Sequence, residues 1–439
     1  MAKKLGNRPP RPDVVDALVL EIHGLVRDQG WLADRALEVV LRRDRKLWAN
    51  ERRAAAEAVY GLIRWQLQLD FLLGHKPSLA ERYAAWLVRF AGATPDDAAR
   101  RLAVQRSALV GLARLEDSDA RLAAVAEPVE RLSLQASLPR WIAERFVREL
   151  GLDEACLLAK AMNERAPLTV RTNLLCGDRD ALRARLAVEG TDSEPTPYSP
   201  WGLKLDGHQN AFSLASFKEG LFEIQDEGSQ LIALACGARP GWTVVDACAG
   251  AGGKALALAM EMRNKGSLHA LDTDEGRLEE SKRRARRAHV HNLRCRVIAP
   301  GVEADAQLED LTGKARVVLV DAPCSGLGTL RRKPDARWRL AEGEPEKFSL
   351  VQRTLVARFS KLLAPGGRLI YATCAIGRTE NDDVADFAQR ELPLEPAPLA
   401  PILGEERAAA LGADGNRLRL YPHRHGTDGF FLAAFTARG

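Results

Sequence analysis

The sequence has no C-x-x-C pair: its seven cysteines stand at 156, 176, 236, 248, 295, 324 and 374. That argues against a zinc ribbon and against a thioredoxin-like centre. An odd cysteine count in a cytosolic chain also argues against a disulfide framework. No apolar run approaches the ~20 residues that cross a bilayer. The start, Met1 to Pro10, lacks the apolar stretch of a signal peptide, so a cytoplasmic protein without a membrane partner is expected. Charge of one sign is not in large excess: 64 basic residues face 59 acidic ones, for a net charge of +5. This permits an anionic partner without arguing for one. No histidine or third thiolate has metal-ligand spacing to the cysteines, so no metal is expected.

What is present is an ordinary globular composition, with 46% hydrophobic and 28% charged residues across 439 positions. That length accommodates two or three domains, each with its own core. Basic residues cluster at Lys282-Arg-Arg-Ala-Arg-Arg287 and Arg331-Arg-Lys333, and both clusters are candidate phosphate contacts.

Residues 1–132 read as helical, with Ala and Leu at three-to-four spacing over Val14–Asp28, Leu32–Arg43 and Asn50–Leu73. Residues 138–219 read as a small α+β module: helices at Leu138–Phe146 and Asp153–Asn163, a strand at Leu168–Asn173, a helix at Asp178–Glu189 and a strand at Trp201–Leu205. Arg171 and Asn173 share one side of their strand and face either RNA or solvent.

From Gly220 to the end, strands and helices alternate, which means a parallel, doubly wound sheet. Strands are expected at Leu221–Gln225, Trp242–Asp246, Ser267–Asp272, Leu293–Ile298, Val317–Asp321 and Arg368–Cys374. Val317 to Val320 form an unbroken apolar run, as in a strand buried on both faces. Pro323 ends its pairing, so Asp321 and Cys324 arrive together at the sheet edge where ligands bind in this architecture. Cys374 ends the next strand; if the two strands are adjacent, their backbones lie ~4.8 Å apart and the two thiols stand side by side.

Asp246 runs into Ala247-Cys-Ala-Gly-Ala-Gly-Gly-Lys254, a glycine turn that lets backbone approach a nucleotide-type ligand. Ala255 follows Lys254, so the phosphate-loop ending is absent. The turn alone fits a dinucleotide or S-adenosylmethionine. Asp272, ending the following strand, is suited to ribose hydroxyls. A thiolate can add to an electron-poor ring carbon and make its neighbour nucleophilic. With a methyl donor in the glycine turn, the natural reaction is methylation of cytosine at C5.

Asp246-Ala-Cys-Ala-Gly-Ala-Gly-Gly-Lys254, Asp321-Ala-Pro-Cys-Ser325, Arg331-Arg-Lys-Pro-Asp335 with Trp338, Tyr371-Ala-Thr-Cys374 and Asp428-Gly-Phe-Phe431 together resemble the RsmB/Sun-type RNA (cytosine-5)-methyltransferases. Val59-Tyr-Gly-Leu-Ile-Arg-Trp65 resembles the NusB-like helical domain of the same proteins. The resemblance implies an α/β fold: a doubly wound Rossmann-like methyltransferase domain over 220–439, preceded by an all-α domain (1–132) and a small α+β RNA-recognition module (138–219).

It further implies Cys374 as the nucleophile on C6, Cys324 as the group assisting product release, Asp321 at the base edge, and Lys254 close to the reacting base. Asp246, Cys248, Ala249, Gly250, Ala251, Gly252, Gly253, Lys254, Asp272, Arg277 and Asp321 would hold S-adenosylmethionine. The partner would be RNA, ribosomal by analogy, and a monomer is expected. Two departures stand out. The family usually has Ala-Pro where this chain has Gly250-Ala251, and an acid after the third strand where Ala299-Pro-Gly301 stands. Rival readings are cytosine-5 methylation of DNA or transfer RNA, the DNA reaction being attacked from the Pro-Cys cysteine, and a non-catalytic RNA-binding or assembly factor that retains the fold.

Overall fold

Alanine and leucine at three-to-four spacing build helices through the amino-terminal part of the chain, as that spacing dictates. The computed structural model describes residues 8–105, 109–206, 210–301 and 303–438. It divides into two compact units, residues up to Glu164 with Leu330–Glu342, and Arg165–Thr329 with Gly343–Gly439.

The first unit is helical. Its longest helix, Ala49–Leu73, starts where Glu51 accepts the Trp48 amide and stops at Gly74 in the left-handed conformation. Leu62, Ile63, Leu69 and Leu72 of this helix are buried in the unit's core. The helices Arg140–Leu150 and Leu152–Ala161 make most of their contacts within this unit.

Leu330–Glu342 also belongs to this unit, and within the expected patch Arg331-Arg-Lys333 the first residue is buried while Lys333 is exposed. Arg331 is only 6% exposed. The Arg64 guanidinium donates to the Arg331 carbonyl at 2.8 Å. Nearby, Arg337 is fully buried and donates to the carbonyls of Arg64, Ala136 and Ser137 and to Asn163 Oδ1. Burial, reinforced by Arg64, lowers its pKa to about 9. Trp338 Nε1 donates to the Ile63 carbonyl at 2.6 Å. Arg337 and Trp338 thus donate to backbone carbonyls inside the helical unit.

The second unit holds two sheets. Strands β1 (Thr169–Thr172), β2 (Ser193–Pro195), β3 (Gly202–Leu205) and β4 (Phe222–Ile224) form an antiparallel sheet in the order β2-β3-β1-β4. The segment Leu221–Gln225, expected to open the parallel sheet, therefore joins the small one, with Arg171 paired to Glu223. A three-residue strand carries no periodicity that could tell the two sheets apart.

The large sheet contains β5 (Thr243–Asp246), β6 (Ser267–Asp272), β7 (Leu293–Val297), β8 (Ala315–Asp321), β9 (Leu363–Thr373), β10 (Leu394–Pro396), β11 (Arg417–Leu420) and β12 (Phe430–Ala437). Its path is β10-β12-β9-β8-β5-β6-β7, with β11 pairing β12. Five strands are parallel, as expected; β10, β11 and β12 run antiparallel, which makes the sheet mixed.

Val317 to Val320 have no exposed surface. Val317 and Leu319 pack into one core, Val318 and Val320 into the other, so alternate side chains serve opposite faces. No helix among the described residues is long and apolar enough to cross a membrane.

Candidate active site

The adjacency of β8 and β9 decides the geometry of the thiols. Their register sets Asp321 opposite Ala372, so Cys324 and Cys374 both lie just past the carboxyl ends of neighbouring strands. Their sulfurs are 3.3 Å apart, and both residues are half-buried. The hydrogen bond to Cys374, with burial, pushes the Cys324 thiol well above its ordinary pKa. Cys324 is thus held in its protonated form, and either sulfur can donate to the other across this contact.

Beside them, Lys254 Nζ donates to Asp321 Oδ2 at 2.6 Å. Burial works against the lysine's charge, but Asp321 outweighs it and the pKa is raised. Lys254 therefore stays cationic, with Phe430 on its other side, the Nζ lying 5.9 Å from the ring centre. An ammonium, a carboxylate and two thiols converge at one edge of the sheet.

The glycine turn follows β5. Gly250 and Gly252 have φ of +52° and +83°. A Cβ on Gly252 would stand 2.2 Å from Ser281 Oγ, so close approach requires glycine there. Asp272 Oδ2 accepts the Gly250 amide at 2.8 Å, and Oδ1 accepts the Asp274 amide at 2.9 Å. Asp272 thus fastens the turn to β6 as well as ending that strand. Arg277 sits on the exposed face of the helix Glu275–Arg287 and pairs with Asp274 at 3.5 Å, on an exposed flank of the group. Cys248 carries a thiol held protonated by burial and by Asp246. Ala249 is buried behind the turn.

Asp246 carries the test of whether a cationic cofactor suits this turn. Both carboxylate oxygens are buried and no described side chain hydrogen-bonds to either, while the Cys248 backbone and the Lys254 charge favour the ionised form. Burial, then the charge of Asp321, outweighs them and pushes the pKa up to about 7. A buried acid lacking a side-chain partner is costly, and a ligand bringing an ammonium or sulfonium supplies one. The residues therefore fit S-adenosylmethionine. After β7, the Ala299 amide donates to Gln307 Oε1 at 2.8 Å, so a neutral amide side chain stands at that corner.

Several residues important to the site are absent from the sequence motifs. Arg171, expected to face RNA or solvent, is 2% exposed and donates from Nη1 to the Gly253 carbonyl at 2.7 Å and to Gln225 Oε1. Burial lowers its pKa to about 10. Asn173 is likewise buried, and its Nδ2 donates to the carbonyls of Gly220 and Ala288, at 2.9 Å each.

The basic run at Lys282–Arg287 divides in the same way. Arg284 donates from Nη1 to the Ala251 carbonyl at 2.8 Å and from Nη2 to Glu223 Oε2 at 2.9 Å, and Arg287 also pairs with Glu223. Lys282 and Arg283 remain exposed, paired to Glu279 and Glu280 one turn earlier. Two of the five basic residues of the expected phosphate patch thus pair with the small sheet, and Arg284 joins that sheet to the cofactor turn. A pattern rule assigns charge to surface, and the only sequence signal against that here is a glutamate in an otherwise apolar strand, Glu223 in β4.

Comparison with known proteins agrees with this geometry. The family described as 16S rRNA methyltransferase RsmB/F matches residues 233–436, and an RsmF/B-like ferredoxin-like domain matches 138–211. A probable ribosomal RNA small subunit methyltransferase B of Synechocystis is 30% identical over 430 residues, covering 91% of this chain and 93% of the relative. Its counterpart in Bacillus subtilis is 29% identical over 406 residues, covering 87% and 90%. A solved methyltransferase homolog from Pyrococcus horikoshii superposes with a TM-score of 0.59 at 29% identity, over 71% of this chain and 100% of that one. The chain belongs to the RsmB/F family of S-adenosylmethionine-dependent ribosomal RNA methyltransferases.

Proposed function

We propose that this protein methylates C5 of a cytidine in small-subunit ribosomal RNA through a covalent bond between Cys374 and C6. The observation that carries the reading is the pair of sulfurs 3.3 Å apart beside the Lys254–Asp321 ion pair. Unstacking of the target base is required, because C6 is shielded within a duplex. Cys374, as thiolate, forms the S–C6 bond, and the displaced electron pair makes C5 nucleophilic. Asp321 and Lys254 act at the polar edge of the ring, where charge accumulates as the thiolate adds.

S-adenosylmethionine, when bound, supplies an electrophilic methyl group. Asp246, Asp272 and the turn Cys248–Lys254 are the residues that would hold it. Once C5 carries the methyl, a base removes the C5 proton, the S–C6 bond breaks, and Cys374 leaves as thiolate. Cys324, whose thiol keeps its proton beside Cys374, is assigned to this release. RNA grip is assigned to the helical part and to the small-sheet module.

The test replaces each thiol separately in the presence of small-subunit ribosomal RNA and S-adenosylmethionine. Cys324→Ala accumulates a protein–RNA adduct that survives denaturing electrophoresis, whereas Cys374→Ala forms none. The opposite pattern assigns attack to Cys324 and overturns the proposal. Bisulfite sequencing of the product reads C5 directly.

A further inference from the structure

Cys324 and Cys374 are each gripped on both chain neighbours, and the two grips meet at one dipeptide. Before Cys324, the Pro323 carbonyl accepts Gln352 Nε2 at 3.0 Å, and the same nitrogen donates to Glu380 Oε1 at 3.2 Å. After Cys324, the Ser325 amide donates to Glu380 Oε1 at 2.8 Å and the Ser325 hydroxyl to Oε2 at 2.5 Å. Before Cys374, the Thr373 hydroxyl donates to Asn381 Oδ1 at 2.6 Å. After Cys374, the Ala375 carbonyl accepts Asn381 Nδ2 at 3.2 Å.

Glu380 is 1% exposed and Asn381 5% exposed, so these bonds form away from water, where losing a partner is expensive. The Gly328 amide donates to the Cys374 carbonyl at 2.8 Å, which joins the two loops once more. The Tyr371 hydroxyl on β9 donates to the Glu380 carbonyl, which fastens the dipeptide to the sheet.

We propose that Glu380 and Asn381 are the positioning residues that set the distance between the two thiols, Glu380 through the Cys324 loop and Asn381 through the Cys374 loop. Neither touches a reacting atom. A carboxylate is suited to the Cys324 side, because it accepts from three donors at once and offers none. An amide is suited to the Cys374 side, where one hydroxyl must be accepted and one carbonyl satisfied. The neighbours in sequence therefore divide the two halves of the cycle. Loosening Glu380 disturbs release while attack continues; loosening Asn381 disturbs attack itself.

This division rests on the covalent reading above, so the experiment has one arm that needs no RNA. In the full-length protein alone, diamide closes a Cys324–Cys374 disulfide, which is mapped by mass spectrometry against Cys324→Ala as control. Glu380→Gln and Asn381→Ala each slow that closure by about tenfold, the scale of one buried hydrogen bond lost. In the RNA arm, Glu380→Gln accumulates the covalent adduct and Asn381→Ala diminishes its formation.

Ser325→Ala and Thr373→Val, which delete one hydroxyl from each side, give the same opposed pattern where the larger changes unfold the protein. Wild-type closure rates in all four variants, or one shared phenotype on RNA, overturn the proposal. Slowed closure with no adduct even in Cys324→Ala instead leaves the clamp standing and removes the covalent reading.

Discussion

The thiol edge and the glycine turn belong to one site but are supported from different places. The cysteine loops are braced by close neighbours in the large sheet's own chain, Gln352, Glu380 and Asn381. The glycine turn is braced by the other sheet: Arg171 of β1 reaches the Gly253 carbonyl across 82 residues of sequence, and Glu223 of β4 steadies Arg284 against the Ala251 carbonyl. Damage to the small sheet should therefore weaken cofactor binding while leaving the thiol pair intact. Any change that alters both together would break the distinction.

The largest effect is expected from Gly252→Ala. An alanine at φ +83° is strained, and its Cβ would also meet Ser281 at Oγ, Cβ and Cα within 3.3 Å. The left-handed backbone costs ~1–2 kcal/mol, and the clash adds to it, so S-adenosylmethionine affinity measured by calorimetry falls on the order of 100-fold. Ser281→Gly in the same protein recovers part of the loss. Diamide closure of the thiol pair stays at the wild-type rate, since no described support of Cys324 or Cys374 passes through Ser281.

Arg171→Met comes next. It leaves the buried Gly253 carbonyl and Gln225 Oε1 without the donor they share, a loss of ~1–3 kcal/mol that weakens the cofactor by about 10- to 100-fold. Arg171→Lys restores charge but not the planar fork, and recovers little. Adduct formation at saturating S-adenosylmethionine returns toward wild type in both variants. A defect in the thiol pair instead would show that the two supports are not separate.

Asp246 sharpens the comparison through pH. Its folded-state pKa of about 7 lies above the usual 3.8, so this carboxyl adds stability that is fully present below its ordinary value and is lost as pH rises through about 7. Cofactor binding has the opposite sign, because a cationic ligand favours the ionised acid. Below about pH 7, affinity should fall by up to about tenfold per pH unit, while the melting temperature of the free protein rises. Burial, Asp321 and Asp272 push this carboxyl up, while Lys254 and the Cys248 backbone pull it down. Asp246→Asn flattens both curves, and a pH profile unchanged by it removes Asp246 from cofactor binding.

The same contrast explains what could be read from the sequence. The thiol edge was legible because its signals are local: a four-residue apolar run that is mostly β-branched, a proline that ends it, and a cysteine after each of two strands. The parallel core followed from alternation alone. The supports of the glycine turn were not legible, because Arg171, Arg284 and Asn173 look like surface residues until β4 joins the small sheet rather than the large one. Arg331 misled for a related reason. Charge in a run suggests solvent, yet this side chain is buried in the helical unit. Periodicity reports which face of an element is apolar; it does not report which polar groups find partners across a core.

The smallest predicted effect also tests how far the turn is built by its glycines. Gly250, like Gly252, has a left-handed backbone, but a Cβ there would enter open space. Its amide bond to Asp272 does not depend on the side chain. Gly250→Ala should therefore cost only the backbone strain, ~1 kcal/mol, and weaken S-adenosylmethionine a few-fold. The contrast with Gly252→Ala isolates the clash with Ser281 from the conformation both positions share. Equal losses at the two positions would mean that backbone conformation alone governs the turn, and that its packing against the helix bearing Ser281 contributes nothing to holding the cofactor.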